Sequence, residues 1–428
     1  MKDDSSRRDF LKNSFFGGLG LYLGSGGLNY SHANQDDGNT LITIFLRGGM
    51  DALSAVGPLQ EIDLWEAWSK KVRPKTIYGM EKLSNDDFFG INEQFNDNFK
   101  NLFKEGSLAI LHGVGGLNES TSHFVQSDFV ESGRVDRISR DGFLHRFAVA
   151  RGKSDKNYAI EERVPYSLLG TSQYVMHLQS EADLAGIGNR NRNYTSGIKR
   201  EEFLRDFFNK KTFRKAKKLM KSHHDYLKEV SEGLEKQSGN FKNKQMKLVS
   251  KMVCSGFSGS YTLSVGGWDD HKDVKAGFVK RHNALFKDVS ELVADLKARG
   301  KFNKTTIVIL TEFGRRIKEN GALGSDHGRG GVSYVIGGKI KGGKIYRTNG
   351  YEDDLKNSIA KIGTGEKNNS QFVLKVETDI RLVFAKIFKK QFGLNEEKIR
   401  EIFPSGKNDL GKLAFNQISW KKLDFWKS

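Results

Sequence analysis

The 428-residue chain has one cysteine and four prolines. A lone thiol, Cys254, can form neither an internal disulfide nor a thiolate metal cluster, so the fold relies on neither. So few prolines exclude a polyproline stalk or a mucin-like segment. No run of eighteen or more apolar residues occurs, which argues against a membrane-spanning helix. Histidine is sparse too, at 10 residues. What remains is ordinary globular material: 37% apolar residues together with 47 glycines support a sizeable core and not wholesale disorder.

The beginning of the chain reads as an address. Ser6-Arg7-Arg8-Asp9-Phe10-Leu11-Lys12 pairs two arginines with the Phe-Leu-Lys of a twin-arginine export signal. A glycine-diluted apolar stretch from Phe15 to Leu28 follows, and Ser31-His32-Ala33 offers small residues where a signal peptidase reads. Residues 1–33 are therefore expected to engage the twin-arginine export machinery, with residues 34–428 forming a periplasmic or exported domain. That pathway carries folded proteins, which suits a chain that takes up a cofactor before leaving the cytoplasm.

The net charge is +18. The export segment carries four basic and three acidic side chains, so removing it leaves that excess almost unchanged. A strongly basic chain invites a nucleic-acid reading, but export argues against one. Much of the excess lies between Arg200 and Lys251, where fifteen Lys/Arg face seven Asp/Glu. The spacing is helical, so residues 190–251 are expected as a basic helical insertion with a solvated face. Attraction of anionic substrates is a secondary role for it.

Five short apolar runs read as buried strands: Leu41–Leu46, Leu108–Leu111, Tyr261–Val265, Thr305–Leu310 and Val332–Ile336. Continuous Val/Ile/Leu without polar alternation fits strands covered on both faces, as in parallel sheets. Between the third and fourth runs, Phe278, Leu285, Val289, Leu292 and Leu296 mark an amphipathic helix that Gly300 stops. Strand, helix, strand is a βαβ unit, and the expected architecture is a doubly wound, mostly parallel α/β sheet.

Chemistry-bearing residues follow each strand. Arg47-Gly48-Gly49-Met50-Asp51 comes after the first. His112 and then Ser120-Thr121-Ser122-His123-Phe124 come after the second. The third is followed by Gly266-Gly267-Trp268-Asp269-Asp270-His271 and the fourth by Thr311-Glu312-Phe313-Gly314-Arg315-Arg316. Gly324-Ser325-Asp326-His327-Gly328-Arg329-Gly330-Gly331 precedes the fifth. Open parallel sheets bind ligands beyond the carboxyl ends of their strands, so one rim rich in carboxylate and imidazole is expected. Such a rim suits zinc or a similar divalent ion. Taken singly, each signal also fits a turn, a helix cap or a structural ion pair.

The segments FLRGGMD (45–51), TSHF (121–124), GGWDDH (266–271), TEFGRR (311–316) and SDHGRGG (325–331) resemble, in order, the motifs of the domain of unknown function 1501 family. TDIRLVFAKIF (378–388) and IFPS (402–405) resemble its ending. That family is in turn similar to the alkaline phosphatase and sulfatase superfamily. The resemblance implies an α/β/α sandwich with two divalent metals at the strand ends. It implies Asp51, Asp269, His271, Glu312, Asp326 and His327 as metal ligands, and Ser122 or Thr121 as nucleophile at a helix start. Superfamily members place an Asp-His pair at a strand end where this chain has Thr311-Glu312. Its own Asp326-His327 pair comes later, and which motif takes which role stays open.

These readings lead to an expected metal-dependent hydrolase of phosphate or related esters, with zinc, or else calcium or magnesium, as its ion. Ser122 would attack, His123 would orient or shuttle protons, and Arg315 or Arg329 would clamp substrate oxygens. The substrate would be an anionic small molecule or polymer. The alternative is an exported binding or assembly protein on the same scaffold without catalysis. A formylglycine sulfatase is excluded, because Cys254 lies in Val-Cys-Ser-Gly without the proline and arginine that motif needs. Gly338–Lys344 imitates a P-loop, but Ile345 stands where Ser or Thr is required.

Overall fold

A computed structural model describes residues 38–59, 79–83, 88–135, 141–152, 157–170, 175–179, 239–347, 359–362, 371–404 and 422–427. The expected export segment, residues 1–33, and most of the expected insertion, residues 190–238, lie outside the described residues.

In chain order the elements are β1 (Thr40–Leu46), α1 (Ala52–Ala55), β2 (Val56–Pro58), β3 (Met80–Glu81), β4 (Phe89–Asn92), α2 (Asp97–Lys104), β5 (Leu108–Gly115), α3 (His123–Ser132), α4 (Phe143–Arg151), β6 (Asn157–Ile160) and β7 (Met176–Leu178). There follow α5 (Lys244–Cys254), β8 (Ser260–Val265), α6 (Val274–Ala298), β9 (Thr305–Thr311), β10 (Gly331–Gly337), β11 (Ile345–Tyr346), β12 (Ile359–Ile362), β13 (Gln371–Leu374), β14 (Thr378–Asp379), α7 (Ile380–Phe392) and α8 (Glu396–Ile402).

The central sheet runs β11-β5-β10-β9-β1-β8-β6-β7, with β14 also paired to β5. β1 is parallel to both β8 and β9, and β6 is parallel to β8 and β7. Because β8 and β9 flank β1, helix α6 carries the chain across β1 between them. Only β10 runs against its neighbours β5 and β9. The sheet is thus mostly parallel, as expected, with β10 its antiparallel exception. Residues 312–330 contain no helix, so the chain stays at the rim after β9 and re-enters the sheet from that side.

Side chains of β1 alternate between two cores. Ile42, Ile44 and Leu46 join Phe99 of α2, Val249 of α5 and Phe278 and Leu292 of α6. Leu41 and Phe45 join Phe147 of α4, Val383 and Phe388 of α7 and Ile402 of α8 on the opposite face. A strand flanked by apolar layers on both sides has no solvent face, which is why its sequence shows no polar alternation. The architecture is an α/β/α sandwich. Among the described residues no helix is long and apolar enough to cross a membrane.

β5 extends four residues beyond the apolar run that announced it. His112 therefore lies inside the strand and is fully buried, not at its end. Its ring lies beside Phe89, with centroids 4.4 Å apart, and Nε2 is 3.1 Å from the Val56 carbonyl. Burial pushes its pKa down to about 3, so it is neutral.

Candidate metal centre

The carboxyl ends of β1, β5, β8 and β9 and the amino end of β10 share one rim, because the five strands have that relative direction. Loops leaving this rim are tied to one another by Arg315. Its guanidinium is fully buried and donates to the carbonyls of Gly49 at 2.8 Å, Ser325 at 2.8 Å and Trp268 at 3.1 Å. It also donates to the Gly48 carbonyl and to Asp269 Oδ1. One planar fork thus holds three loops in register.

The turn after β1 needs its glycines. Gly48 has φ +122 and Gly49 φ +73, backbone that side-chain-bearing residues avoid. A Cβ on Gly48 would also strike the backbone of Trp268 and Asp269. The absent side chain lets the two loops touch, and the Trp268 N–H donates to the Arg47 carbonyl at 3.2 Å.

Helix α3 is set against the same rim by Arg47, which pairs with Glu131 at 2.5 Å. The other oxygen of Glu131 accepts the Ser167 N–H at 3.0 Å. Ser122 stands at the N-cap of α3, yet its side chain makes no capping bond. His123, the first helical residue, points across the rim.

Four side chains meet there: His123, Asp269, His271 and His327, each offering one ligand atom, all within 4.8 Å of one another. Asp269 Oδ1 lies 3.2 Å from His123 Nε2, 3.1 Å from His271 Nε2 and 3.4 Å from His327 Nε2. Tetrahedral zinc with bonds of about 2.0–2.1 Å would separate its ligands by about 3.3 Å. Those three separations fit a tetrahedral shell. Nε2 of His271 and Nε2 of His327 approach to 2.8 Å.

The far side of each ring explains the near side. His123 Nδ1 is 2.6 Å from Glu312 Oε1, His271 Nδ1 is 3.2 Å from Asp326 Oδ1, and His327 Nδ1 is 2.7 Å from the Thr121 carbonyl. An oxygen acceptor at every Nδ1 places the ring proton there and leaves the Nε2 lone pairs converging on one point. Lone pairs so arranged repel unless a proton or cation lies between them. His123 Nε2 is buried and faces the Asp269 oxygen at 3.2 Å without well-directed hydrogen-bond geometry. Outer acceptors behind imidazole ligands are the usual companions of a bound metal, and three imidazoles with one carboxylate suit zinc. The residues fit the ion that the sequence implied.

The electrostatics agree. Burial pushes the Asp269 carboxyl up, but the Arg315 guanidinium and the nearby imidazoles carry it down to about 2. The hydrogen bond to Glu312 raises His123 against the opposing effect of burial. Burial first, and then the charge of His123, lowers His327.

Of the six residues implied as ligands, Asp269, His271 and His327 stand in the group. Glu312 and Asp326 stand behind two of its imidazoles. Glu312 is buried and also accepts the Gly48 N–H at 2.9 Å. Asp326 is braced by Asn320 Nδ2 at 3.1 Å and Arg316 Nη1 at 3.3 Å. Asp51 is buried outside that group of four, accepts the Ser54 hydroxyl at 2.5 Å, and adds to the effect of burial in raising the neighbouring Asp270 carboxyl. Among the residues expected to act in catalysis, His123 joins the ligand group. Thr121 holds His327 through its carbonyl, and Ser122 is exposed one residue before His123. Arg315 spends its donors on the loops. Its neighbour Arg329 pairs with the exposed Glu119 at 3.1 Å. His123 was not read as a ligand, although it too follows a strand among hydroxyls and glycines, like the others.

An α/β/α sandwich with imidazoles and carboxylates gathered on its strand-end rim is the class that fold and site define. Residues 105–403 match the model of the family described as "Protein of unknown function (DUF1501)", and the chain belongs to that family. No curated protein matches it. Among solved structures it is similar to the lipoteichoic acid synthase LtaP from Listeria monocytogenes, at 9% identity over 74% of this chain and 70% of that one, with a TM-score of 0.35. The PsFucS1 sulfatase from Pseudoalteromonas sp. is similar at 11% identity, over 81% and 68%, with a TM-score of 0.32. Alkaline phosphatase from the Antarctic bacterium TAB5 is similar at 10% identity, over 72% and 94%, also at 0.32. Likenesses so remote say nothing about the chemistry of this chain.

Proposed function

We propose that the chain is an exported, metal-dependent hydrolase of phosphate or related esters. One observation carries this reading: three imidazole nitrogens and a carboxylate oxygen converge, with an oxygen acceptor behind every ring. His123, Asp269, His271 and His327 would hold the ion. Zinc is favoured over calcium and magnesium, which take oxygen ligands. When bound, the ion would supply charge neutralisation and lower the pKa of a nearby hydroxyl or water.

The chain's own residues supply the rest. Ser122 is the nucleophile: it is exposed, free of capping duty, and at the positive end of α3, where developing negative charge is stabilised. Its oxygen bonds to phosphorus or sulfur as the bond to the ester oxygen breaks, and that oxygen takes up the serine proton, leaving as the alcohol. A water oxygen then bonds to the same centre, the bond to Ser122 breaks, the serine oxygen regains a proton from the water, and the anion is released. Thr121 positions His327 and brings a second hydroxyl beside Ser122. His123 orients and does not shuttle protons, since its Nδ1 is committed to Glu312. Arg329 takes substrate oxygens; its pair with Glu119, whose side chain is 84% exposed, is easily exchanged. Export in folded form would let the centre load before the protein leaves the cytoplasm.

One feature favours the second reading, a scaffold without catalysis. Four protein ligands already fill a tetrahedral shell, the pattern of structural zinc sites. Elemental analysis of the full chain, followed by assays of wild type and Ser122→Ala on phosphate mono- and diesters and sulfate esters, decides between them. We expect about one metal per chain and a large loss of rate in the variant. Failure to take up metal at neutral pH sinks the centre altogether. Bound metal with negligible rates in both proteins supports the binding scaffold.

A further inference from the structure

Exposed apolar side chains are unevenly placed on this molecule. Six large hydrophobic residues are exposed among the described residues, and four of them flank the metal-centre segments: Leu117, Phe124, Val125 and Leu323. Phe124 directly follows His123 in the first turn of α3 and is 84% exposed. Leu323 is 60% exposed and bridges to Lys272, the residue after His271. Single exposed apolar residues need no explanation. Phe124 adjoins His123, and Leu323 is bridged to the residue after His271, so both adjoin members of the polar centre; exposed apolar surface beside such a centre marks a binding surface.

Leu323 adds a second observation. It sits at φ +60, a conformation that a bulky side chain rarely adopts. Its N–H donates to the Asn320 carbonyl at 3.3 Å and its carbonyl accepts the Val274 N–H at 3.1 Å, which locks the backbone. Glycine would hold that conformation without strain, and glycines stand nearby at 321 and 324, yet the strained position carries an exposed leucine. Persistent strain of this kind collects at ligand-contacting loops.

We propose that the substrate of this centre is amphiphilic: a phosphate or sulfate ester whose anionic head meets the ion and Arg329 while an alkyl or aryl body lies over Phe124 and Leu323. The inference rests on the hydrolase reading above. A sugar offers such side chains only the C–H faces of its rings, whereas an alkyl or aryl body removes more of their apolar surface from water. Hydrolysis of such an ester forms one bond from the water oxygen to phosphorus or sulfur and breaks the bond to the ester oxygen. That oxygen takes the water proton, and the products are an apolar alcohol and an inorganic anion.

The test uses the full chain loaded with zinc and titrated calorimetrically with ethyl-, butyl- and octylphosphonate, which cannot be hydrolysed. Affinity is expected to tighten about two- to fourfold per added methylene. Phe124→Ser and Leu323→Gly should flatten that slope, leaving ethylphosphonate binding within about twofold of wild type. Both positions are exposed, and glycine at 323 relieves the backbone, so loss of folding does not obscure the result. Equal affinity at every chain length, or an unchanged slope in both variants, overturns the inference and leaves the hydrolase reading standing. No binding at any length overturns both.

Discussion

Glu312 is buried and divides one carboxylate between the Gly48 N–H and the His123 ring. At the scale of single residues it shows how a ligand and its support differ by one contact. Glu312→Gln keeps an acceptor for Gly48 but weakens the pull on the imidazole proton, so zinc affinity should fall about 10–100-fold with the fold intact. Competition with a chelator measures this. Unchanged affinity would mean that Glu312 does not orient His123. Asp269, His271 and His327 were readable as strand-end donors. The outer places of Glu312 and Asp326 were not, because residue type and spacing are the same for a ligand and for the group behind one. Asp51 lies in a Gly-Gly-Met-Asp turn like the others, yet its carboxylate is turned to Ser54.

Among elements, the turn after β1 bears most directly on the site. Gly48→Ala would put a methyl group into the Trp268–Asp269 backbone at a φ that alanine avoids. We expect a loss of about 2 kcal/mol or more, read as a lower urea midpoint. Zinc uptake should weaken too, because Asp269 moves with its loop. A stability equal to wild type would show that the two loops do not need this contact. The five strands and α6 were legible, since burial on both faces and a 3.6-residue period are local signals. The end of β5 was not. A histidine reads as a break in an apolar run, and only the Val56 carbonyl and the Phe89 ring make His112 an interior residue. The reversal of β10 was equally hidden, as pairing direction depends on where residues 312–330 lead the chain.

Across the whole molecule, two fully buried histidines couple stability to pH. Burial lowers His112 to about 3 and takes His282 well below its ordinary value. His282 stacks on Phe95 at 3.5 Å and lies 3.1 Å from the Tyr334 hydroxyl. In the unfolded chain both rings take up a proton below about pH 6.5, while the folded chain refuses it. The unfolded state then binds more protons, so stability is complete above that pH and falls as the solution is acidified toward 3. Urea midpoints at neutral pH and at pH 5 should show the drop. His112→Gln should shrink it, which separates this effect from titration of the rim histidines. An identical drop in the variant would refute the assignment.

Much of this protein was written locally: the basic charge, the single thiol, the apolar strand runs, the helix before Gly300, and the habit of placing carboxylates, hydroxyls and imidazoles after strands. Local patterns carry such facts because burial and periodicity act over a few residues. Tertiary structure decided which donors meet. Parallel strands bring loops more than fifty residues apart to one rim, Arg315 fixes their register, and the acceptor behind each ring selects the nitrogen that faces inward. None of those contacts has a sequence spacing, because each is made through space between segments that only the folded sheet places side by side.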